Sequence, residues 1–161
     1  MSDQYVAQSP EDMPDQQTML SMSGLDFMRA IQNGTLPCAP MAAVMNFHIS
    51  DVSEGAVAFR GTPEFQHFNP MGGVHGGWYG TILDSALGCA VATTLPQGCV
   101  YTTLEYKVNL TRALKPGVLV ECVATVQHSG RSTAVAEATI KGVEDGKLYA
   151  TGSTTCIIMR P

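Results

Sequence analysis

Charge is scarce in this chain of 161 residues. Asp, Glu, Lys and Arg together make up 14% of it, and nine basic residues face fourteen acidic ones for a net charge of −5. A nucleic-acid binder carries a basic footprint, so that class is excluded. No apolar run is long enough to cross a bilayer as a helix, which predicts a soluble protein with no membrane partner. The first seventeen residues, MSDQYVAQSPEDMPDQQ, have neither the basic start nor the apolar stretch of a signal peptide, and the expectation is cytoplasmic. Cysteine is present five times (Cys38, Cys89, Cys99, Cys122, Cys156), an odd and scattered set without a C-x-x-C pair, which reads as free thiols in a reducing compartment. There is no G-x-S-x-G elbow for a serine nucleophile, and neither form of glycine-rich phosphate loop. His48, His67, His75 and His128 lack metal-ligand spacing, so no metal site is expected.

One stretch stands out against this background: Asn69-Pro70-Met71-Gly72-Gly73-Val74-His75-Gly76-Gly77, continuing as an apolar helical pattern to about Ala92. Asp84 sits well inside the pattern, where an acid is costly to bury. The glycine-rich start leaves backbone N–H groups free at the positive end of a helix dipole. Gly77, Gly80, Asp84 and Gly88 share one stripe of the helix, and that run of glycines predicts a close approach by another backbone or a ligand.

The rest of the chain supplies the frame. Residues 1–22 show no period and read as a flexible arm; residues 23–161 read as one domain. Ser23 caps a short helix to about Gln32, with Gly34 past its end. Strands are predicted over 44–52 and 56–62, joined at Ser53-Glu54-Gly55. After the long helix, residues 100–111 alternate strictly, placing Val100, Thr102, Leu104, Tyr106, Val108 and Leu110 on one face. Strands over 118–127, 132–143 and 148–159 follow through tight turns, so neighbours run antiparallel. A single long apolar helix needs a sheet face to bury it. The predicted class is α+β, a curved antiparallel sheet wrapped around one central helix.

The chemistry follows from the spacing. A helix rises ~1.5 Å per residue, so roughly 10–12 Å separates its start from Asp84. Both can act on one carbonyl only if one of them comes from a second subunit, and an isologous dimer would make that pairing twice. Backbone N–H groups of Gly76 or Gly77 would then hold a developing oxyanion. Asp84 would attack a carbonyl directly or deprotonate a water. Asn69 would orient that water or the loop, and His75 would hold the loop or meet the leaving group. Arg112 and Lys115 at a strand end and Arg131 in a turn are candidate contacts for a phosphorylated ligand.

The stretch Asn69–Gly77 with Asp84 nine residues after His75 resembles the N-P-x-G-x-x-H-G-G signature and following acid of the hotdog-fold acyl-CoA thioesterases, in particular the PaaI-like (phenylacetate-pathway) group. Residues 101–110, His128–Ser132 and Gly146–Gly152 are similar to the family as well, so the likeness spans about 24–159. The resemblance implies a hotdog fold and hydrolysis of an acyl-CoA in a homodimer or a dimer-of-dimers homotetramer, with sites at the interfaces. It needs no cofactor, coenzyme A being part of the substrate. It gives Asp84 the nucleophile or general-base position, Gly76 or Gly77 the oxyanion donor, and Asn69 and His75 supporting roles. Thr102 falls where relatives often carry a hydroxyl near the water. Arg112-Ala113 stands where many relatives read Arg-Pro. Two other readings are a hotdog hydratase or dehydratase of acyl thioesters, and a module that binds acyl-CoA without turnover.

Overall fold

The computed structural model describes residues 5–161; the first four residues of the expected arm lie outside the described residues. Residues 5–22 carry both a long-range bridge and a short helix. Val6 forms a parallel bridge with Cys38, Ala7 is buried, and α1 (Gln16–Leu20) is capped by the Asp15 side chain. Next comes α2 (Gly24–Gln32), capped as the sequence predicts: the Ser23 hydroxyl accepts from the Asp26 N–H, and Gly34 follows with φ 79°.

The first predicted strand begins later than expected. Pro40 stands at the first turn of α3 (Pro40–Val44), where its missing N–H costs nothing, and the chain turns extended only at β1 (Phe47–Ser53). Asn46, at φ 51°, makes the bend between them. β2 (Ala56–Gly61), α4 (Gly76–Ala92), β3 (Val100–Leu110), β4 (Val120–Ser129), β5 (Thr133–Gly142) and β6 (Leu148–Met159) complete the order.

The six strands form one antiparallel sheet, β1-β2-β4-β5-β6-β3, and α4 lies across it. β3 does not pair with β4 across the turn at Lys115-Pro116-Gly117 as the sequence suggested: it lies at the far edge beside β6, and β4 sits between β2 and β5. This is the hotdog architecture, an α+β fold around a central helix. α4 is apolar nearly all round, so it must be covered on nearly every side. The sheet does this by curling: Ile82, Leu83, Ala86, Leu87, Ala90 and Val91 are fully buried against Val120, Cys122, Ala134, Ala136, Ile140 and Ala150. α2 closes the far end of α4. The Gly24 N–H donates to Leu95 O at 3.0 Å, and a Cβ on Gly24 would run into the Ala92 carbonyl oxygen. All five cysteines are free, four buried and Cys89 half-buried. No helix among the described residues is long and apolar enough to cross a membrane.

The period-two pattern of β3 breaks at Leu104. Thr103 pairs with Cys156 and Glu105 with Thr155, so Leu104 is a bulge and the inward face changes parity there. Tyr101 and Thr103 point at α4 before the bulge, and Tyr106 and Leu110 after it. The single face expected for Thr102, Leu104, Tyr106 and Leu110 is therefore split in two.

Gly24→Ala separates two effects of opposite sign. Helix propensity favours Ala by up to about 1 kcal/mol. The clash with Ala92 O is expected to override it and to lower stability by about 1–3 kcal/mol in urea unfolding. A stabilised Gly24→Ala would show that α2 does not dock on the end of α4 this way.

Candidate active site

The loop before α4 is built by its own polar atoms. Asn69 Oδ1 accepts from Met71 N–H at 2.9 Å and Gly73 N–H at 3.2 Å, while Asn69 N–H donates to Gly73 O at 2.8 Å. Gly72 turns the chain at φ 81°. Asn69 thus organises the loop, one of the two tasks the sequence left open for it. His67 is buried beneath: its Nδ1 accepts from Glu64 N–H at 2.9 Å, which leaves Nε2 to donate to Val44 O at 2.8 Å. Nothing in the motif had marked His67, whose hydrogen bonds tie the loop to the end of α3.

His75 is the N-cap of α4, and its Nδ1 accepts from the Gly77 N–H at 2.8 Å. That bond occupies one of the two expected oxyanion donors. The Gly76 N–H has no hydrogen-bond partner among the described residues. Gly76 is the first helical residue, half-buried, with Leu110 beside it.

β3 runs alongside α4 in the opposite sense. Leu110 lies against Gly76, the Tyr106 hydroxyl against Gly80, Thr103 against Asp84 and the Tyr101 hydroxyl against Gly88. A Cβ on Gly88 would sit 2.7 Å from the Tyr101 oxygen. The glycines expected to admit another backbone or a ligand are thus filled, at 80 and 88, by tyrosines of the same chain.

Asp84 is half-buried, and the Thr103 hydroxyl donates to its Oδ1 at 3.3 Å. Thr102, the hydroxyl expected near this site, is exposed, one residue out of phase with the inward face of β3. The hydroxyl that reaches Asp84 within the chain is that of Thr103, and only the register of the strand on the helix identifies it. The Asp84 carboxyl lines a cavity of about 210 Å³ whose other walls are mostly apolar, among them Met28, Ile31, Phe47 and Phe59. The Cys89 thiol, one turn along, is pushed from an ordinary 9.0 up to about 12 by burial, with the Asp84 carboxylate adding to the effect. Burial likewise holds the Tyr101 phenol well above its ordinary range, so it stays a neutral hydrogen-bonding group.

The three basic candidates do not form one cluster within a chain. Arg112 N–H donates to Tyr149 O, and the Tyr79 hydroxyl accepts from Leu114 N–H, so Arg112 and Lys115 lie near the start of α4. Arg131 precedes β5 where Ser132 O accepts from Ile158 N–H, and Thr94, just past α4, is bonded to Ser129 in the same turn. The nine residue steps of β6 from Tyr149 to Ile158 span about 30 Å. The antiparallel register separates what the sequence suggested could meet.

The family model for the thioesterase superfamily matches residues 71–149. A putative esterase of Caenorhabditis elegans is 28% identical over 105 residues, 65% of this chain and 62% of that protein, so the match spans less than two thirds of that relative's length. A thioesterase family protein of Silicibacter pomeroyi is 27% identical, with a TM-score of 0.70 over 76% of this chain and 90% of that one. The PaaI protein of the Escherichia coli phenylacetic acid degradation operon shares the fold at 21% identity, with a TM-score of 0.68 over 74% of this chain and 83% of its own.

Two measurements check these local assignments. His75→Ala is expected to cost about 0.5–2 kcal/mol in urea unfolding through loss of the cap; an unchanged midpoint would remove the His75–Gly77 bond from the account. The raised Cys89 pKa has a definite sign. Below pH 9 the thiol is neutral in both folded and unfolded chains and contributes no pH dependence. Between pH 9 and about 12 only the unfolded thiol ionises, so stability falls as pH rises. Cys89→Ala is expected to make that alkaline fall shallower, and a fall of the same slope would contradict the burial of this thiol.

Proposed function

We propose, for a chain whose residues 71–149 match the thioesterase superfamily model and whose fold is similar to the PaaI-like hotdog proteins, that it hydrolyses an acyl-CoA thioester to the free acid and coenzyme A. The carrying observation is Asp84: a carboxylate on the central helix, held by Thr103, facing an apolar cavity. An acid placed so can take a proton from a water at the mouth of an acyl pocket, or attack the thioester carbon itself. In the first route the water oxygen bonds to the carbonyl carbon, and the carbonyl oxygen becomes an oxyanion held by the Gly76 N–H. Collapse breaks the carbon–sulfur bond, the thiolate leaves, and the proton taken by Asp84 returns to sulfur. In the second route the Asp84 carboxylate bonds to the carbonyl carbon, the carbon–sulfur bond breaks and the thiolate leaves, and water then hydrolyses the anhydride to the free acid and the Asp84 carboxylate, the released proton going to the thiolate.

Gly77 is a weaker candidate for the donor, because His75 already engages its N–H. His75 and Asn69 support the loop that presents Gly76. Arg112 and Lys115 flank the start of α4 and are the proposed contacts for the phosphates of coenzyme A.

Gly76 and Asp84 lie on one helix roughly 10–12 Å apart, too far to meet at one carbonyl. The proposed active form is therefore a dimer, with Asp84 of one chain facing Gly76 of the other. β3 suits such an interface. It is an edge strand of the sheet, and Leu104 and Leu110 on it are 59% and 52% exposed.

The test follows free thiol and product mass with a panel of acyl-CoAs. Asp84→Asn is expected to lower kcat by about 10²-fold or more. Gly76→Pro removes the proposed donor while keeping the helix, since proline suits a first helical position and the extended ψ of 138° at His75 suits the residue before it. Alone it is expected to be similarly impaired. Co-refolded in equal amounts, the two variants form mixed dimers with one intact site each, and about a quarter of the parental activity returns. No recovery would place both groups in one chain. Unimpaired Asp84→Asn would sink the site, and a product changed by one water without free thiol would make the enzyme a hydratase.

A further inference from the structure

Two cavities share part of their lining, and the smaller of them also holds Asp84. The smaller, of about 210 Å³, holds the carboxyl and Thr103 at one side and Met28, Ile31 and Phe59 at others. The larger, of about 460 Å³, lies under the N-terminal segment, with Val6, Asn46, His48, Thr62 and Glu64 in its walls. The same three buried residues, Cys38, Ala42 and Phe47, bound both. These three residues therefore lie between the cavities, and Phe47 is the one bulky side chain among them.

Phe47 is held from two directions. Its ring stands edge-on to Phe59, with centroids 5.7 Å apart and planes at 83°. Its Cβ would be 2.7 Å from a Cβ on Gly61, its partner in the β1–β2 pairing, so the absence of a side chain there lets Phe47 sit close to β2. Phe47 is a packed element of the fold.

The two spaces differ chemically. Apart from the end carrying Asp84, Ser85, Tyr101 and Thr103, the smaller is lined by apolar side chains. The larger carries the His48 imidazole and the Glu64 carboxylate. An apolar chain gains by filling the first and would have to displace water from polar groups in the second. We infer that Phe47 is a specificity-determining residue: it ends the acyl pocket and limits the substrate to acyl groups of medium length. A methylene takes about the volume of a water molecule, about 30 Å³, so 210 Å³ holds about seven of them beyond the carbonyl, an acyl group of about eight carbons. Removing the Phe47 ring joins the two spaces and admits longer chains. This inference rests on the thioesterase reading only for the position of the carbonyl at Asp84.

The test uses straight-chain acyl-CoAs of four to sixteen carbons. Thiol release is measured for the parent, Phe47→Ala and Phe47→Leu, and binding of hexanoyl- and dodecanoyl-CoA is measured by calorimetry on the same three proteins carrying Asp84→Asn. Each methylene that is buried strengthens binding by about fourfold. The parent is expected to gain with length up to about eight carbons and then lose. Phe47→Ala is expected to raise the dodecanoyl-to-hexanoyl ratio by about tenfold or more in both readouts, with Phe47→Leu moving it less and in the same direction. Circular dichroism verifies folding, and Phe47→Leu decides if Phe47→Ala does not fold. A parent that prefers fourteen to sixteen carbons, folded variants with an unchanged ratio, or no binding of either acyl-CoA would overturn the inference. Shifted binding without thiol release from any substrate would instead overturn hydrolysis and leave the pocket assignment standing.

Discussion

Covering α4 is the constraint on which this structure depends. The helix is apolar on nearly every face, and a flat sheet can cover only one. The six-stranded sheet meets the demand by curling, and α2 docks on the end of α4 through the contact of Gly24 with Ala92. Each feature of the site is a consequence of something lying against this helix. Asp84 is half-buried because β3 passes over it, and its cavity exists because α2, α3 and β1 meet above that part of α4 without filling it.

The same constraint explains how an acid can be kept in an apolar helix. Asp84 accepts from the Thr103 hydroxyl and opens on a cavity, so its charge is neither sealed in nor left without a donor. Its neighbours stay neutral: the Cys89 thiol and the Tyr101 phenol are both held protonated by burial, with the carboxylate adding to the effect. One charge in a neutral, largely apolar surrounding is what the proposed base, acting on a water beside an acyl chain, would need. The helix start is arranged differently. His75 ties up the Gly77 N–H and leaves that of Gly76 without a partner, so the loop presents one donor.

Much of the fold could be read from local pattern. Ser23 and the run to Gln32, the helix from Gly76 to Ala92 and the span of β6 depend on period, caps and turn residues, which act within a few residues of chain. Asp84 also stood out locally, as an acid in an apolar helix. The start of β1 was misplaced because α3 is only five residues long, too short to show a helical period. Tyr5 to Leu20 have no period either; their bridge to Cys38 depends on residues more than thirty positions away.

What the sequence by itself determined was the presence of α2, α4 and the six strands, the antiparallel pairing of β1 with β2, β4 with β5 and β5 with β6 across short turns, and the separation of Gly76 from Asp84 along one helix. Each follows from bond geometry and near-neighbour spacing. The tertiary structure alone decided which hydroxyl meets Asp84, because a bulge at Leu104 reverses the inward face of β3 and puts Thr103 where strict alternation put Thr102. It alone set Arg131 at the opposite end of the sheet from Arg112 and Lys115, since register fixes which strand ends are neighbours. It alone showed that tyrosines of β3 fill the space beside Gly80 and Gly88, and that Phe47 stands between two cavities. These are relations between segments far apart in the chain, and they come into being only when the sheet closes on the helix.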